Sequence, residues 1–189
     1  MLVAGILMLL GAHCALAAPE QQAFTTKAQR AILMDAATGA VLFAYKADEL
    51  APPASMSKLM TLAVLFRELK SGKVKGSDEF LMSVNAWRNG GAPSGTSAMM
   101  VPVNTKISVD ELIKGIAIQS GNDACIAVAE ALGGSEAGFA KMMTEEARRI
   151  GLPKSTFVNA TGLQNENHLM TARELALLGR YIINEFPEY

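Results

Sequence analysis

Ser55 and Lys58 stand at the mouth of an almost wholly apolar run, PPASMSKLMTLAVLF, from Pro52 to Phe66. Pro52 and Pro53 precede the run and Gly72 follows it, which predicts a helix from about Ala54 to Leu69, with apolar residues on nearly every side and therefore buried. Three residues apart on the first turn of such a helix, the serine hydroxyl and the lysine amine share a face and can meet. That is the geometry of a nucleophile and its base. Burial disfavours an ammonium, and the positive end of the helix acts in the same direction, so both lower the pKa of Lys58 and favour the neutral amine that can take the Ser55 proton. The free N–H groups at the helix start offer a donor for an oxyanion. The bland alternative is a helix-start serine beside a lysine that snorkels to solvent.

A second stretch, IAIQSGNDACIAVAEAL, sets Ser120, Gly121 and Asn122 in a tight connection between two apolar helices. Ser120 can relay a proton between Lys58, Ser55 and a leaving amine, and Asn122 can bind a substrate amide through both ends of its side chain. Ser, Asn and Asp ahead of a helix are also ordinary caps.

The remaining inventory narrows the chemistry. The 189 residues, half of them hydrophobic and with a formal net charge of −1, suit one or two compact lobes. Lys and Arg are interspersed with Asp and Glu, so the basic footprint of a nucleic-acid binder is missing. Residues 1–17, MLVAGILMLLGAHCALA, read as a signal peptide ending in Ala15-Leu16-Ala17, with the mature chain, 18–189, beginning at Ala18. That chain keeps one cysteine, Cys125, and one histidine, His168. An internal disulfide is then excluded, as is a zinc site built mainly from Cys and His, and no cofactor is expected. A Ser-His-Asp triad would need His168 and lacks a nucleophile-elbow sequence; His168 itself reads as a capping or loop histidine.

The elements that must position these residues follow from the pattern. RAILMDAATGAVLFAYKAD predicts a hairpin with strands Ala31–Asp35 and Ala40–Tyr45 about Gly39. The stretch from Asp78 to Ser108 predicts short strands around a Gly- and Ser-rich loop, with Trp87 either on a loop over the site or packed at the surface. VDELIKGIAIQ, DACIAVAEALGG, EAGFAKMMTEEARRIGL and TARELALLGRYIINEF predict four helices, the last opening with a capping box of Thr171 and Glu174. Asn159-Ala160-Thr161 matches a glycosylation acceptor but reads better as a structural turn. Strands followed mostly by helices indicate an α/β or α+β domain.

Together DAATGAVL, PPASMSKLMT, IQSGNDACIA, FVNATGL and MTARELALLGRYI, in this order between Ala31 and Tyr189, resemble the low-molecular-mass penicillin-binding proteins, specifically the serine-type D-alanyl-D-alanine carboxypeptidases. The resemblance implies an α/β (α+β) transpeptidase fold, an antiparallel sheet flanked by helices with an inserted helical lobe. It implies Ser55 as the acylated nucleophile, Lys58 as proton acceptor, Ser120 as second proton-transfer serine and Asn122 as the residue that places the peptide backbone. It also implies peptidoglycan stem peptide ending in D-Ala-D-Ala as substrate, β-lactams as covalent inhibitors, a periplasmic location, and peripheral membrane association through a C-terminal region not among these residues. The family's Lys-Thr-Gly motif does not occur in the sequence; Lys154 and the Thr161-Gly162 pair are not contiguous. The chain is therefore expected to stop before the later strands, with activity of the 189 residues alone in doubt. Two other readings remain. A serine β-lactamase would add a glutamate for deacylation, but there is no E-x-x-L-N element between Gly151 and Tyr189, and Gly121 stands where Asp is usual. A non-catalytic wall-binding relative would accommodate the missing Lys-Thr-Gly.

Overall fold

A computed structural model describes residues 24–189, so the expected leader, 1–17, and the start of the mature chain at Ala18 lie outside the described residues. The chain opens with β1 (Ala31–Met34) and β2 (Val41–Tyr45), paired antiparallel with Ala31 opposite Tyr45 and Leu33 opposite Phe43. Their turn is tied by Asp35, whose carboxylate accepts from the Thr38 N–H at 2.7 Å and from the Thr38 hydroxyl at 2.5 Å. Gly39 completes the turn at φ +79°, a conformation that suits a residue without Cβ. The expected hairpin is present, each strand trimmed by one residue.

A 3-10 turn (Ala54–Ser57) then feeds α1 (Lys58–Lys70), the central helix. Met60, Ala63, Val64 and Leu65 are fully enclosed, as the apolar run requires. They form one core with Val109, Leu112 and Ile116 of α3 (Val109–Ala117), Cys125 to Ala129 of α4 (Asn122–Gly133), Phe139, Met143 and Ala147 of α5 (Glu136–Arg149), and Leu178 of α6 (Ala172–Glu185).

Between α1 and α3 lie β3 (Glu79–Leu81), α2 (Val84–Gly90) and β4 (Lys106–Ser108), with β3 and β4 paired antiparallel. Helix α2 falls in a stretch expected to hold only strands and loop. Seven residues are too few to show helical periodicity, but Ser83 caps it, its hydroxyl accepting from the Ala86 N–H at 2.9 Å. Trp87 lies on α2 and packs against the core, which answers the choice between loop and packing in favour of packing.

The Thr171–Glu174 capping box forms by halves. Thr171 Oγ1 accepts from the Glu174 N–H at 3.0 Å, but the Glu174 carboxylate does not turn back. Buried in the core, it accepts instead from the Lys154 N–H at 2.9 Å, the Ser155 N–H at 2.7 Å and the Ser155 hydroxyl at 2.5 Å. A stronger set of donors, supplied by a segment remote in sequence, outcompetes the local cap. This carboxylate thus anchors the segment leading into residues 156–169, and Glu174→Ala leaves buried donors unpaired, an expected loss of about 3 kcal/mol in unfolding free energy. Urea denaturation checks it, and a change under about 1 kcal/mol is inconsistent with that anchoring.

Candidate active site

Two backbone bonds, Ala51 N–H to Met170 C=O at 2.9 Å and Met170 N–H to Ala51 C=O at 3.0 Å, fix the chain just ahead of the 3-10 turn. Ala54 enters the turn at φ +51°, a left-handed conformation that costs a residue with a Cβ and holds only where the surroundings impose it. In a 3-10 turn the side chains at i and i+3 eclipse. Ser55 and Lys58 therefore stack, Lys58 Nζ donating to Ser55 Oγ at 2.9 Å. The expected helix from Ala54 begins as this tighter turn, which aligns the pair better than an α-helical turn does.

The two partners differ sharply in environment. Ser55 is exposed, whereas Lys58 is only 3% accessible. Lys58 Nζ donates a second bond to the Thr161 carbonyl at 2.7 Å. Burial lowers the pKa of Lys58 from its ordinary value, while the nearby Cys125 thiol on α4 acts weakly in the opposite sense. That thiol is itself pushed up to about 12 by burial, so it stays protonated and inert at neutral pH. With the lysine neutral, the 2.9 Å contact to Ser55 can run the other way, the hydroxyl donating to the amine lone pair. Snorkelling, the alternative role for Lys58, does not occur.

Ser120 closes the connection between α3 and α4 at φ +54° and is half-buried. No side-chain hydrogen bond joins it to Ser55 or Lys58 among the described residues. Asn122 begins α4 and is 4% accessible. Its amide NH2 donates to Thr96 Oγ1 at 2.9 Å, which in turn lies 2.7 Å from Ser94 Oγ. Its carbonyl oxygen, Oδ1, is buried with no partner among the described residues. The Asn122 N–H donates to Ser97 C=O at 2.8 Å, and the Met99 N–H donates to Asp123 Oδ1 at 2.8 Å. Residues 91–100 are thereby pinned along the start of α4.

His168 lies in a loop, one of the two placements expected for it. Its imidazole is buried edge-on against Phe157, with centroids 5.4 Å apart, and its Nδ1 accepts from the Val158 N–H at 3.3 Å. Three neighbours of the candidate residues were not marked as such by residue type: Thr161, whose backbone carbonyl meets Lys58, Thr96, whose hydroxyl meets the Asn122 amide, and Cys125, whose buried thiol lies near Lys58. The FVNATGL stretch was visible as a turn, but nothing in a sequence marks which carbonyl will face a lysine 103 residues away.

Residues 16–189 match the family model described as D-alanyl-D-alanine carboxypeptidase. The chain is 42% identical over 158 residues to D-alanyl-D-alanine carboxypeptidase DacC of Escherichia coli, an alignment covering 83% of this chain and 40% of the relative. Penicillin binding protein 5 from Haemophilus influenzae superimposes with a TM-score of 0.83 at 35% identity, over 88% of this chain and 48% of that one. Penicillin-Binding Protein D2 from Listeria monocytogenes, solved in its cefotaxime-bound form, gives a TM-score of 0.75 at 28% identity, over 89% and 66%. The chain spans about two fifths of the length of the curated relatives it matches.

The buried lysine makes a measurable claim on stability. Its folded pKa lies below its unfolded one, so between the two values the unfolded chain binds more protons, and stability rises with pH toward about 10.4. Lys58→Met cannot titrate. The unfolding free energy of wild type relative to Lys58→Met is therefore expected to increase between pH 7 and pH 10 in urea melts, and parallel curves for the two proteins would remove the case for a depressed lysine.

Proposed function

Because the chain belongs to the D-alanyl-D-alanine carboxypeptidase family and carries the fold of penicillin-binding proteins, we propose that the protein removes the terminal D-Ala from peptidoglycan stem peptides through an acyl-Ser55 intermediate. The observation that carries the reading is the 2.9 Å contact between an exposed serine hydroxyl and a buried lysine amine. Ser55 Oγ attacks the carbonyl of the penultimate D-Ala while its proton passes to neutral Lys58. Collapse of the tetrahedral adduct breaks the C–N bond, and the departing amine of D-Ala takes up a proton by way of Ser120. Water then attacks the ester, with Lys58 again accepting the proton, and frees Ser55. Asn122 Oδ1 accepts an N–H of the peptide backbone, and the Ser55 N–H contributes to the oxyanion site.

A β-lactam presents the same kind of carbonyl to the same hydroxyl, and the cefotaxime-bound Listeria protein supports extending such binding to this chain. The action on wall peptide places the work outside the cytoplasm. The carboxypeptidase reading is preferred to a β-lactamase because Gly121 stands between Ser120 and Asn122 and the curated relatives are named carboxypeptidases.

Expressed from its own reading frame, the protein is expected to take up one equivalent of labelled penicillin, seen by intact-mass spectrometry, and Ser55→Ala is expected to take up none. An adduct that persists on Ser55→Ala places the nucleophile elsewhere. Lys58→Arg keeps the charge but cannot act as base, so acylation should slow by about 10²–10⁴-fold, nearly as much as in Lys58→Ala. Acylation of Lys58→Arg at the wild-type rate would take the proton-acceptor role from Lys58.

A further inference from the structure

The carbonyl that holds Lys58 belongs to the peptide unit between Thr161 and Gly162, and both ends of that unit are engaged. Its C=O accepts from Lys58 Nζ at 2.7 Å. Its N–H, the amide of Gly162, donates to Asn159 Oδ1 at 2.8 Å. The six atoms of a trans peptide are coplanar, with C=O and N–H directed oppositely, so a group that fixes the N–H fixes the direction of the carbonyl. We propose that Asn159 is a positioning residue for the reaction, holding the Thr161–Gly162 peptide plane so that its carbonyl faces Lys58. This rests on the reading of Lys58 as the proton acceptor for Ser55.

The rest of the side chain is spent on the same loop. Asn159 Oδ1 also accepts from the Thr161 N–H and the Thr161 hydroxyl, each at 3.1 Å, and Nδ2 donates to Leu163 C=O at 2.9 Å. Both ends of the amide are thus committed, which fits a structural turn and leaves Nδ2 no freedom as a glycosylation acceptor. The turn docks against the nucleophile. Thr61 of α1 donates to Ala160 C=O at 2.7 Å, and Gly162, at φ +81°, sits so close to the 3-10 turn that a Cβ there would lie 2.0 Å from the Ala54 carbonyl oxygen. These contacts hold the loop against α1, but among the described residues only Asn159 grips the peptide unit that touches Lys58. The chain of bonds from Asn159 Oδ1 through that peptide to Lys58 Nζ is continuous, so a change at Asn159 polarises or releases the acceptor of the lysine.

The test reads Lys58 directly. The protein is labelled with 13C-lysine, and the Lys58 Cε resonance is assigned by its absence in Lys58→Met and followed against pH. The titratable group facing Lys58 is the Cys125 thiol from α4, and neither the 3-10 turn nor the 159–163 loop contributes another. Asn159→Ala removes the grip, the ammonium loses a well-directed acceptor, and the Lys58 midpoint should fall by about half a pH unit or more. Asn159→Asp adds negative charge close to the amine, so the midpoint should rise by Coulomb attraction alone, and this variant serves as the control that the resonance reports on this site. A fall in Asn159→Ala supports the proposal; a midpoint unchanged in Asn159→Ala, as a role confined to packing would leave it, overturns it. Should Asn159→Ala not fold, Asn159→Leu, which fills a similar volume without an acceptor, decides in the same way. Because the readout needs no acylation, a protein that never takes up penicillin defeats the proposed function while this question is still answered.

Discussion

Lys58 Nζ sits in the core at the start of the central helix, and each of its two partners comes from a segment whose shape makes sense only around it. A buried ammonium without acceptors is too costly to keep, and a buried neutral amine still needs its hydrogens directed. The 3-10 turn supplies Ser55 Oγ at 2.9 Å and the 159–163 loop supplies the Thr161 carbonyl at 2.7 Å. With two acceptors the amine is tolerated inside, yet desolvation still holds its pKa down. The balance is the useful part: enough hydrogen bonding to fix the nitrogen, too little to lock on the proton.

This constraint explains why the site is assembled from pieces far apart in the chain. Ser55 and Lys58 are local, but the opposing carbonyl arrives from beyond α5. The loop before α3 is tied to the first residues of α4 through Ser97, Met99 and Asp123. The segment after α5 is tied to α6 through Glu174 and to the chain before Ser55 through Met170. Each tie is a backbone hydrogen bond or a buried carboxylate, interactions with direction, whereas the apolar core beneath them supplies cohesion without it. The core brings the segments near, and the polar ties set the angles.

What the sequence revealed follows the same division. The hairpin, the buried helix and the four later helices were legible because periodicity, Gly and Pro report directly on local backbone and burial. Ser55, Lys58, Ser120 and Asn122 stood out because polar side chains interrupt apolar runs, and the structure sets the first two in contact. Helix α2 was not legible because seven residues carry too little periodicity. The outward half of the Thr171–Glu174 box was misread because a local rule competes poorly with buried donors at Lys154 and Ser155. Thr161 was beyond reach for a deeper reason, since every residue has a carbonyl and only the tertiary fold selects one.

The strained positions complete the account of how a soft core carries a stiff site. Ala54 and Ser120 both adopt positive φ without being glycine, at a cost on the order of 1 kcal/mol or more each. Neither is free to relax. Ala54 is held between the Ala51–Met170 bonds on one side and the close approach of Gly162 on the other. Ser120 is followed by Gly121 and Asn122, whose N–H groups donate to Gly115 C=O at 2.9 Å and Ser97 C=O at 2.8 Å. Strain of this kind sits beside the exposed hydroxyl of Ser55 and at the half-buried residue Ser120 itself, so relaxation of either backbone would swing a hydroxyl away from its place. The burial of α1 and α4 stabilises the fold enough to keep these two residues where local preference would not put them, and that surplus of core cohesion over local cost lets an exposed serine meet a buried amine.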